Sequence, residues 1–104
     1  MKFADQRSFI SKFQFFSKLC ELSFVENIFL YGSRARGDFS DKSDIDIAVN
    51  MPKAAPEDWE IVMHIIDDAD TLLAIDCVRF DTLKNLDLRN AIEKDKIVLF
   101  SREY

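Results

Sequence analysis

Both glycines of this 104-residue chain lie in one hexapeptide, GSRARG, as Gly32 and Gly37. The largely apolar segment VENIFLY (residues 25–31) comes directly before it and predicts a short, largely buried β-strand. Gly32 allows the backbone to approach a ligand without a Cβ, and Gly37 can end a helical turn in a left-handed conformation. A strand that ends in such a turn and continues as a short helix presents backbone N–H groups, which bind phosphate. The hexapeptide is therefore a candidate phosphate-binding turn.

The side chains of the same hexapeptide fit that interpretation. Ser33 can donate its hydroxyl to a phosphate oxygen, and Arg34 and Arg36 can add positive charge. An ordinary tight turn with solvated arginines is the alternative. The hexapeptide by itself does not distinguish the two.

Two aspartates follow the turn, in the run DIDIAV (residues 44–49), which predicts a second strand. Asp44 and Asp46 are two positions apart, so both side chains project from the same face of the strand. Two neighbouring carboxylates repel each other unless cations lie between them. Mg²⁺ binds one or two carboxylates and takes further ligands from substrate phosphates. A solvated strand face is the alternative, and the adjacent phosphate-binding turn argues against it.

The remaining pattern predicts a single α/β domain over residues 1–104, with a small sheet covered by helices. Its predicted elements are a helix from about Asp5 to Leu22, strands at 25–31, 44–49, 74–80 and 96–100, and helices at 56–73 and 85–95, the last capped by Asn85 or Asp87.

The spacing of these residues resembles a known signature. GS, ten intervening residues and then DID match the GS-x10-DxD pattern of the DNA polymerase beta-like nucleotidyltransferases, and YGSRARGDFSDKSDIDIAV is similar to their minimal nucleotidyltransferase (MNT) family. The resemblance implies a nucleotidyltransferase fold, with a small mixed β-sheet of about four strands flanked by helices. It extends over the whole chain in length and element order, and is most specific in the motif.

The same resemblance implies a third metal-binding carboxylate on a later strand, for which Asp76 is the candidate. Asp76 stands among Ile75, Cys77 and Val78, and a carboxylate buried in an apolar strand is costly unless it is paired or binds a metal. Asp81 is the alternative at the strand's end, where a turn residue is expected. Three more acids, for which a solvated helix face is expected, are Asp67, Asp68 and Asp70.

By resemblance, the activity is Mg²⁺-dependent transfer of AMP from ATP to a hydroxyl, with release of pyrophosphate. Asp44 and Asp46 would bridge a pair of Mg²⁺ ions, and Asp76 would bind the second ion and help to deprotonate the acceptor. The triphosphate would lie against Gly32 and Ser33, with Arg34 and Arg36 as further candidates for nucleotide contacts.

The resemblance also implies a partner. MNT proteins are typically encoded beside HEPN-type ribonuclease toxins, and several act as antitoxins that attach AMP to a toxin tyrosine. We therefore expect an antitoxin that forms a hetero-oligomer with such a toxin. The alternatives are a non-catalytic antitoxin that neutralises its partner by covering it, and a nucleotidyltransferase that modifies a small molecule with a separate substrate-binding subunit.

Charge and composition argue against a nucleic-acid-binding, membrane or secreted protein. A formal net charge of −5 disfavours direct nucleic-acid binding. No apolar run is long enough to span a bilayer, and charges interrupt the first residues where a signal peptide would be apolar, so a cytoplasmic protein is expected. Cys20 and Cys77 are interpreted as small buried hydrophobes, and His64 as a surface or core-edge residue.

Overall fold

The computed structural model of the chain describes residues 2–102. In that range the elements are α1 (Lys2–Ser11), α2 (Gln14–Glu21), β1 (Asn27–Tyr31), α3 (Gly32–Arg36), β2 (Ile45–Asn50), α4 (Asp58–Asp67), β3 (Ile75–Arg79), α5 (Leu86–Asp95) and β4 (Ile97–Ser101). The four strands form one mixed sheet in the order β3-β2-β1-β4. The predicted α/β fold, with a four-stranded mixed sheet flanked by helices, is confirmed.

The strand directions bring the two predicted motifs together. β1 is antiparallel to both β2 and β4, whereas β2 and β3 are parallel. The end of β1 and the starts of β2 and β3 therefore lie at the same end of the sheet. In this register Tyr31 is opposite Asp46, and Asp46 is beside Asp76.

Alternation along the strands divides the core into two parts. One face of the sheet packs against α1, α2 and α4 through fully buried residues that include Ile28, Leu30, Ile47 and Val49. The other face carries a smaller cluster, in which the strand residues Phe29, Tyr31 and Ala48 meet Phe80 and the α5 residue Ile92. The row of Tyr31, Asp46 and Asp76 belongs to this second face, at its open end.

The first helix differs from the prediction. The continuous apolar spacing predicted one helix from about Asp5 to Leu22, but α1 ends at Ser11 and Phe13 has an extended backbone. The carboxylate of Asp70 accepts hydrogen bonds from the backbone N–H groups of Gln14, at 3.0 Å, and Phe15, at 3.2 Å. Because this cap comes from 56 residues away, no local pattern indicates the break.

The acidic end of α4 also differs. The helix ends at Asp67, so Asp70 lies beyond it, in the connection to β3, and caps α2 instead of contributing to a solvated helix face. Asp67 and Asp68 are exposed, as expected. The predicted cap of the last helix is confirmed, because Asn85 Oδ1 accepts the N–H of Leu88 at 3.1 Å.

The two cysteines are both free and partly buried. Burial raises the pKa of the Cys20 thiol, and burial together with the charge of Asp76 raises that of Cys77 to about 12. Both thiols are therefore neutral, as small hydrophobic residues would be. None of the helices described between residues 2 and 102 is long and apolar enough to cross a membrane.

Replacing Asp70 with alanine should lower the melting temperature at neutral pH, because the first turn of α2 loses both carboxylate hydrogen bonds. The N–H of Gln14, and then that of Phe15, hold the pKa of Asp70 below its usual range. The stabilisation is thus present at neutral pH and is lost as the pH falls through this lowered pKa. Thermal unfolding of both proteins by circular dichroism should show a difference that shrinks in acid.

The exposed Asp68 provides the matched control, since Asp68→Ala should leave the melting temperature unchanged. An equal difference between wild type and Asp70→Ala at neutral and acidic pH would contradict the capping role.

Candidate functional site

Three side chains form a row across three strands. Tyr31 in β1, Asp46 in β2 and Asp76 in β3 are successive partners in the sheet, so they project from the same face. Asp44 lies two residues before Asp46, just ahead of the start of β2 at Ile45. The fold thus brings all three predicted carboxylates to one end of one face.

The carboxylates differ in exposure and perturb one another. Asp46 is half-buried, whereas Asp44 and Asp76 are exposed. Burial raises the pKa of Asp46, the negative charges of Asp76 and Asp44 raise it further, and Arg36 and Arg34 partly oppose the rise. The positive charges of the protein alone therefore do not fully balance the burial and repulsion that ionised Asp46 experiences. A cation bound beside these carboxylates would relieve that repulsion.

The exposure of Asp76 corrects one premise of the sequence argument. A carboxylate buried in an apolar strand was expected there, but β3 is an outer strand of the sheet, and Asp76 faces solvent. Its position beside Asp46 remains. An exposed carboxylate at this point is accessible to a group that approaches from outside the chain.

Tyr31 is a member of the site that the sequence argument missed. Its side chain is only 7% exposed, and its hydroxyl lies 3.5 Å from Asp76 Oδ2, at the outer limit of a hydrogen bond. Burial, and then the charges of Asp76 and Asp46, raise its pKa well above that of an ordinary tyrosine. The phenol is therefore protonated and can donate to Asp76. Its place just before Gly32 gives no signal of this contact, which depends on a strand 45 residues away.

Gly32 is required by the close approach of the turn to β2. Its φ angle is +74°, and a Cβ at this position would overlap Asp46 Oδ2 and lie 3.1 Å from Asp46 Cγ. Gly37, at φ +94°, ends α3 in the left-handed conformation, as predicted, and its N–H bonds to the carbonyl of Ser33 at 2.9 Å. The turn therefore lies directly against the middle carboxylate.

Ser33 is half-buried in the first turn of α3, next to Gly32. The first N–H groups of a helix have no partner within it. Backbone donors of this turn are therefore beside the carboxylate row, which is the arrangement expected for phosphates and a cation bound together.

The two arginines have different surroundings. Arg34 is 3% exposed, and its guanidinium donates to the carbonyls of Ser43 and Asp41 and to the side chain of Gln6. Arg36 is exposed and pairs with Asp38, at 3.3 Å, and Asp95, at 3.6 Å.

Arg36 also lines a cleft of about 420 Å³ between α3 and the end of α5. Of the two arginines, it is the one that offers a solvent-accessible guanidinium near Asp46.

The donors of the site fit a hard divalent cation. Within residues 6–102, whose side chains the structure describes, no three side chains of the His, Cys, Asp and Glu types converge closely enough to hold a metal as they stand. Mg²⁺ does not need such a cage, because it binds through one or two carboxylates, waters and substrate phosphates. Asp46, with the charges of Asp44 and Asp76 acting on it, has the carboxylate oxygens and the excess negative charge that such an ion would need.

Comparison with known proteins assigns the class. Residues 15–104 match the family model described as polymerase beta, nucleotidyltransferase. The chain belongs to this nucleotidyltransferase family. None of the curated proteins matches it.

Solved structures agree on the fold. A toxin–antitoxin structure with AMP-PNP is similar at 22% identity and a TM-score of 0.63, over 86% of this chain and 73% of that one. An MntA–HpeT toxin–antitoxin structure with two Asp-to-Glu substitutions has 20% identity and a TM-score of 0.62, over 85% and 72%. A protein of Sulfolobus solfataricus assigned to the nucleotidyltransferases has 20% identity and a TM-score of 0.59, over 98% and 89%.

Replacing Gly32 with alanine should weaken the joint binding of Mg²⁺ and ATP by about 10- to 100-fold, because the new Cβ displaces the carboxylate of Asp46. Isothermal titration calorimetry measures this affinity directly. The left-handed backbone should also lower the free energy of unfolding by about 1–2 kcal/mol.

Gly37→Ala is the matched control, since it introduces the same kind of backbone strain at φ +94°. It should lose similar stability and keep its affinity for Mg²⁺ and ATP. Equal loss of affinity in both variants would show that strain, and not contact with Asp46, accounts for the effect.

Proposed function

We propose that this chain is a Mg²⁺-dependent nucleotidyltransferase that transfers AMP from ATP to a hydroxyl of a partner protein. The observation that carries the proposal is the contact between the Gly32 turn and Asp46, at the end of the sheet where Asp44 and Asp76 also lie. A phosphate-binding turn and a group of carboxylates on one face are what phosphoryl-type transfer requires, because its catalysis is mainly positioning and charge neutralisation.

Each residue has a separate role in this proposal. The backbone N–H groups at Gly32 and Ser33 bind the β- and γ-phosphates, and Arg36 adds positive charge from the rim of the turn. Asp44 and Asp46 would hold the metal ions, with Asp76 as a further ligand. When bound, Mg²⁺ supplies charge neutralisation and Lewis-acid polarisation at the phosphates.

The acceptor reacts at the exposed side of the row. Asp76 accepts the proton of the acceptor hydroxyl, whose oxygen attacks the α-phosphorus of ATP in line. The bond from the α-phosphorus to the bridging oxygen breaks, pyrophosphate leaves, and AMP remains on the acceptor. The hydroxyl of Tyr31 donates toward Asp76 Oδ2 and orients that carboxylate. The exposure of Asp76 supports this role, since the acceptor comes from another molecule.

The acceptor we favour is a tyrosine of a HEPN-type toxin, for which the chain would be the antitoxin. The resemblance of the motif to the MNT family supports this assignment. So does the similarity of the fold to a toxin–antitoxin structure with AMP-PNP and to an MntA–HpeT structure that carries two Asp-to-Glu substitutions.

The test combines the chain with Mg²⁺, α-labelled ATP and the HEPN-type toxin partner. Wild type should transfer label to the toxin, and Asp44→Asn or Asp46→Asn should lower the rate by about a thousandfold or more, because metal binding is worth several kcal/mol to the transition state. Asp67→Asn, on the exposed end of α4, is the matched control and should retain full activity.

Other outcomes separate the alternatives. A stable complex with no label on the toxin would contradict the enzyme and support an antitoxin that acts by covering its partner. Label on a small acceptor would instead support a small-molecule nucleotidyltransferase. Full activity of Asp44→Asn or Asp46→Asn would overturn the assignment of these carboxylates.

A further inference from the structure

We infer that Arg34 is a positioning residue, not a phosphate ligand, and that it fixes the backbone just before Asp44. Gln6 and Phe9 of α1 hold the guanidinium of Arg34 in the orientation that this role requires. The inference rests on the proposed function, because it concerns the support of the same carboxylates. The segment concerned is the connection between α3 and β2, residues 37–44, here called the α3–β2 loop.

The guanidinium of Arg34 donates hydrogen bonds to two backbone carbonyls of the α3–β2 loop. Its Nε donates to the carbonyl of Ser43 at 3.1 Å, and Nη2 donates to the carbonyl of Asp41 at 3.2 Å. Ser43 is the residue immediately before Asp44. The two bonds thus fix the backbone at the point where the loop enters the carboxylate motif.

The same guanidinium is held from the other side by α1. Nη1 donates to Gln6 Oε1 at 3.2 Å, and Gln6 is itself 4% exposed. The cation also lies close to two aromatic rings, 5.1 Å from the centre of Phe9 and 5.2 Å from that of Phe39. Gln6, Phe9 and Phe39 therefore leave the guanidinium little freedom to turn toward a ligand.

The contribution of α1 comes from outside the region that the family model matches. The match to the nucleotidyltransferase family covers residues 15–104, and α1 ends at Ser11. Gln6 and Phe9 thus lie outside the matched region, yet they contact the arginine of the GSRARG motif. A buried charge that loses a hydrogen-bond partner is strongly disfavoured, so a change at Gln6 should be transmitted through Arg34 to the loop.

The test replaces Gln6 with methionine, which has a similar volume and no acceptor oxygen. Hydrogen exchange should show amides in the α3–β2 loop exchanging about tenfold faster, the effect expected from losing a hydrogen bond to a charged group. Electron paramagnetic resonance of free Mn²⁺, with AMP-PNP present, should show about tenfold weaker binding of Mn²⁺. Neither readout requires AMP transfer, so failure of the proposed function remains distinguishable from failure of this inference.

Arg7→Met is the matched control, because Arg7 is exposed on the same helix and should leave both readouts unchanged. Arg34→Lys keeps the positive charge but loses the planar guanidinium with its several N–H donors. It should therefore speed loop exchange and weaken Mn²⁺ binding more than Gln6→Met does. If Arg34→Lys does not fold, Gln6→Met still decides the question. Unchanged loop exchange in Gln6→Met would overturn the inference. So would faster exchange with unaltered Mn²⁺ binding, or the absence of Mn²⁺ binding by wild type.

Discussion

The register that joins β1, β2 and β3 is the constraint on which the candidate site depends. It sets Tyr31 opposite Asp46 and Asp46 beside Asp76. A shift of one residue in any of these strands would turn its polar side chain to the other face, into the larger core. Burial on that face prevents the shift, because Ile45 and Ile47, on either side of Asp46, are both fully buried. Packing on one face of the sheet thus positions the carboxylates on the other.

The same arrangement opposes stability in the metal-free protein. The raised pKa of Asp46 means that its ionised form is less favourable in the folded chain than in water, with burial as the largest cause and Asp76 and Asp44 as the next. A divalent cation and a triphosphate would offset one another's charge at this position. Gly32 keeps the turn in contact with Asp46, so the two charged partners would bind to neighbouring groups and not to separate sites.

Patterns that act over a few residues predicted the architecture well. The four strands, the Asn85 cap and the left-handed Gly37 all depend on local sequence, and the structure confirms them. What the sequence could not supply are contacts between distant segments. The break between α1 and α2 depends on Asp70, and the surroundings of Arg34 depend on Gln6.

In the candidate site, too, the residues in local motifs could be predicted from the sequence, whereas contacts between distant segments could not. The GS and DID motifs indicate Gly32, Asp44 and Asp46 directly, because their spacing is local. The apolar neighbours of Asp76 predict burial that the structure does not have, since such neighbours do not reveal that β3 is an outer strand of the sheet. Tyr31 carries no local signal, because only the sheet register brings it to the carboxylates.

Nuclear magnetic resonance of the wild-type chain with substoichiometric Mn²⁺ and AMP-PNP tests the central claim most directly. Paramagnetic broadening falls steeply with distance from the ion, so it locates the metal among the backbone amides. The signals expected to broaden first are those of Gly32, Ser33, Asp44, Asp46 and Asp76, whereas those of the exposed face of α4 should remain sharp. Broadening centred elsewhere, or spread evenly over the acidic surface, would contradict a metal and nucleotide site at the end of β1, β2 and β3.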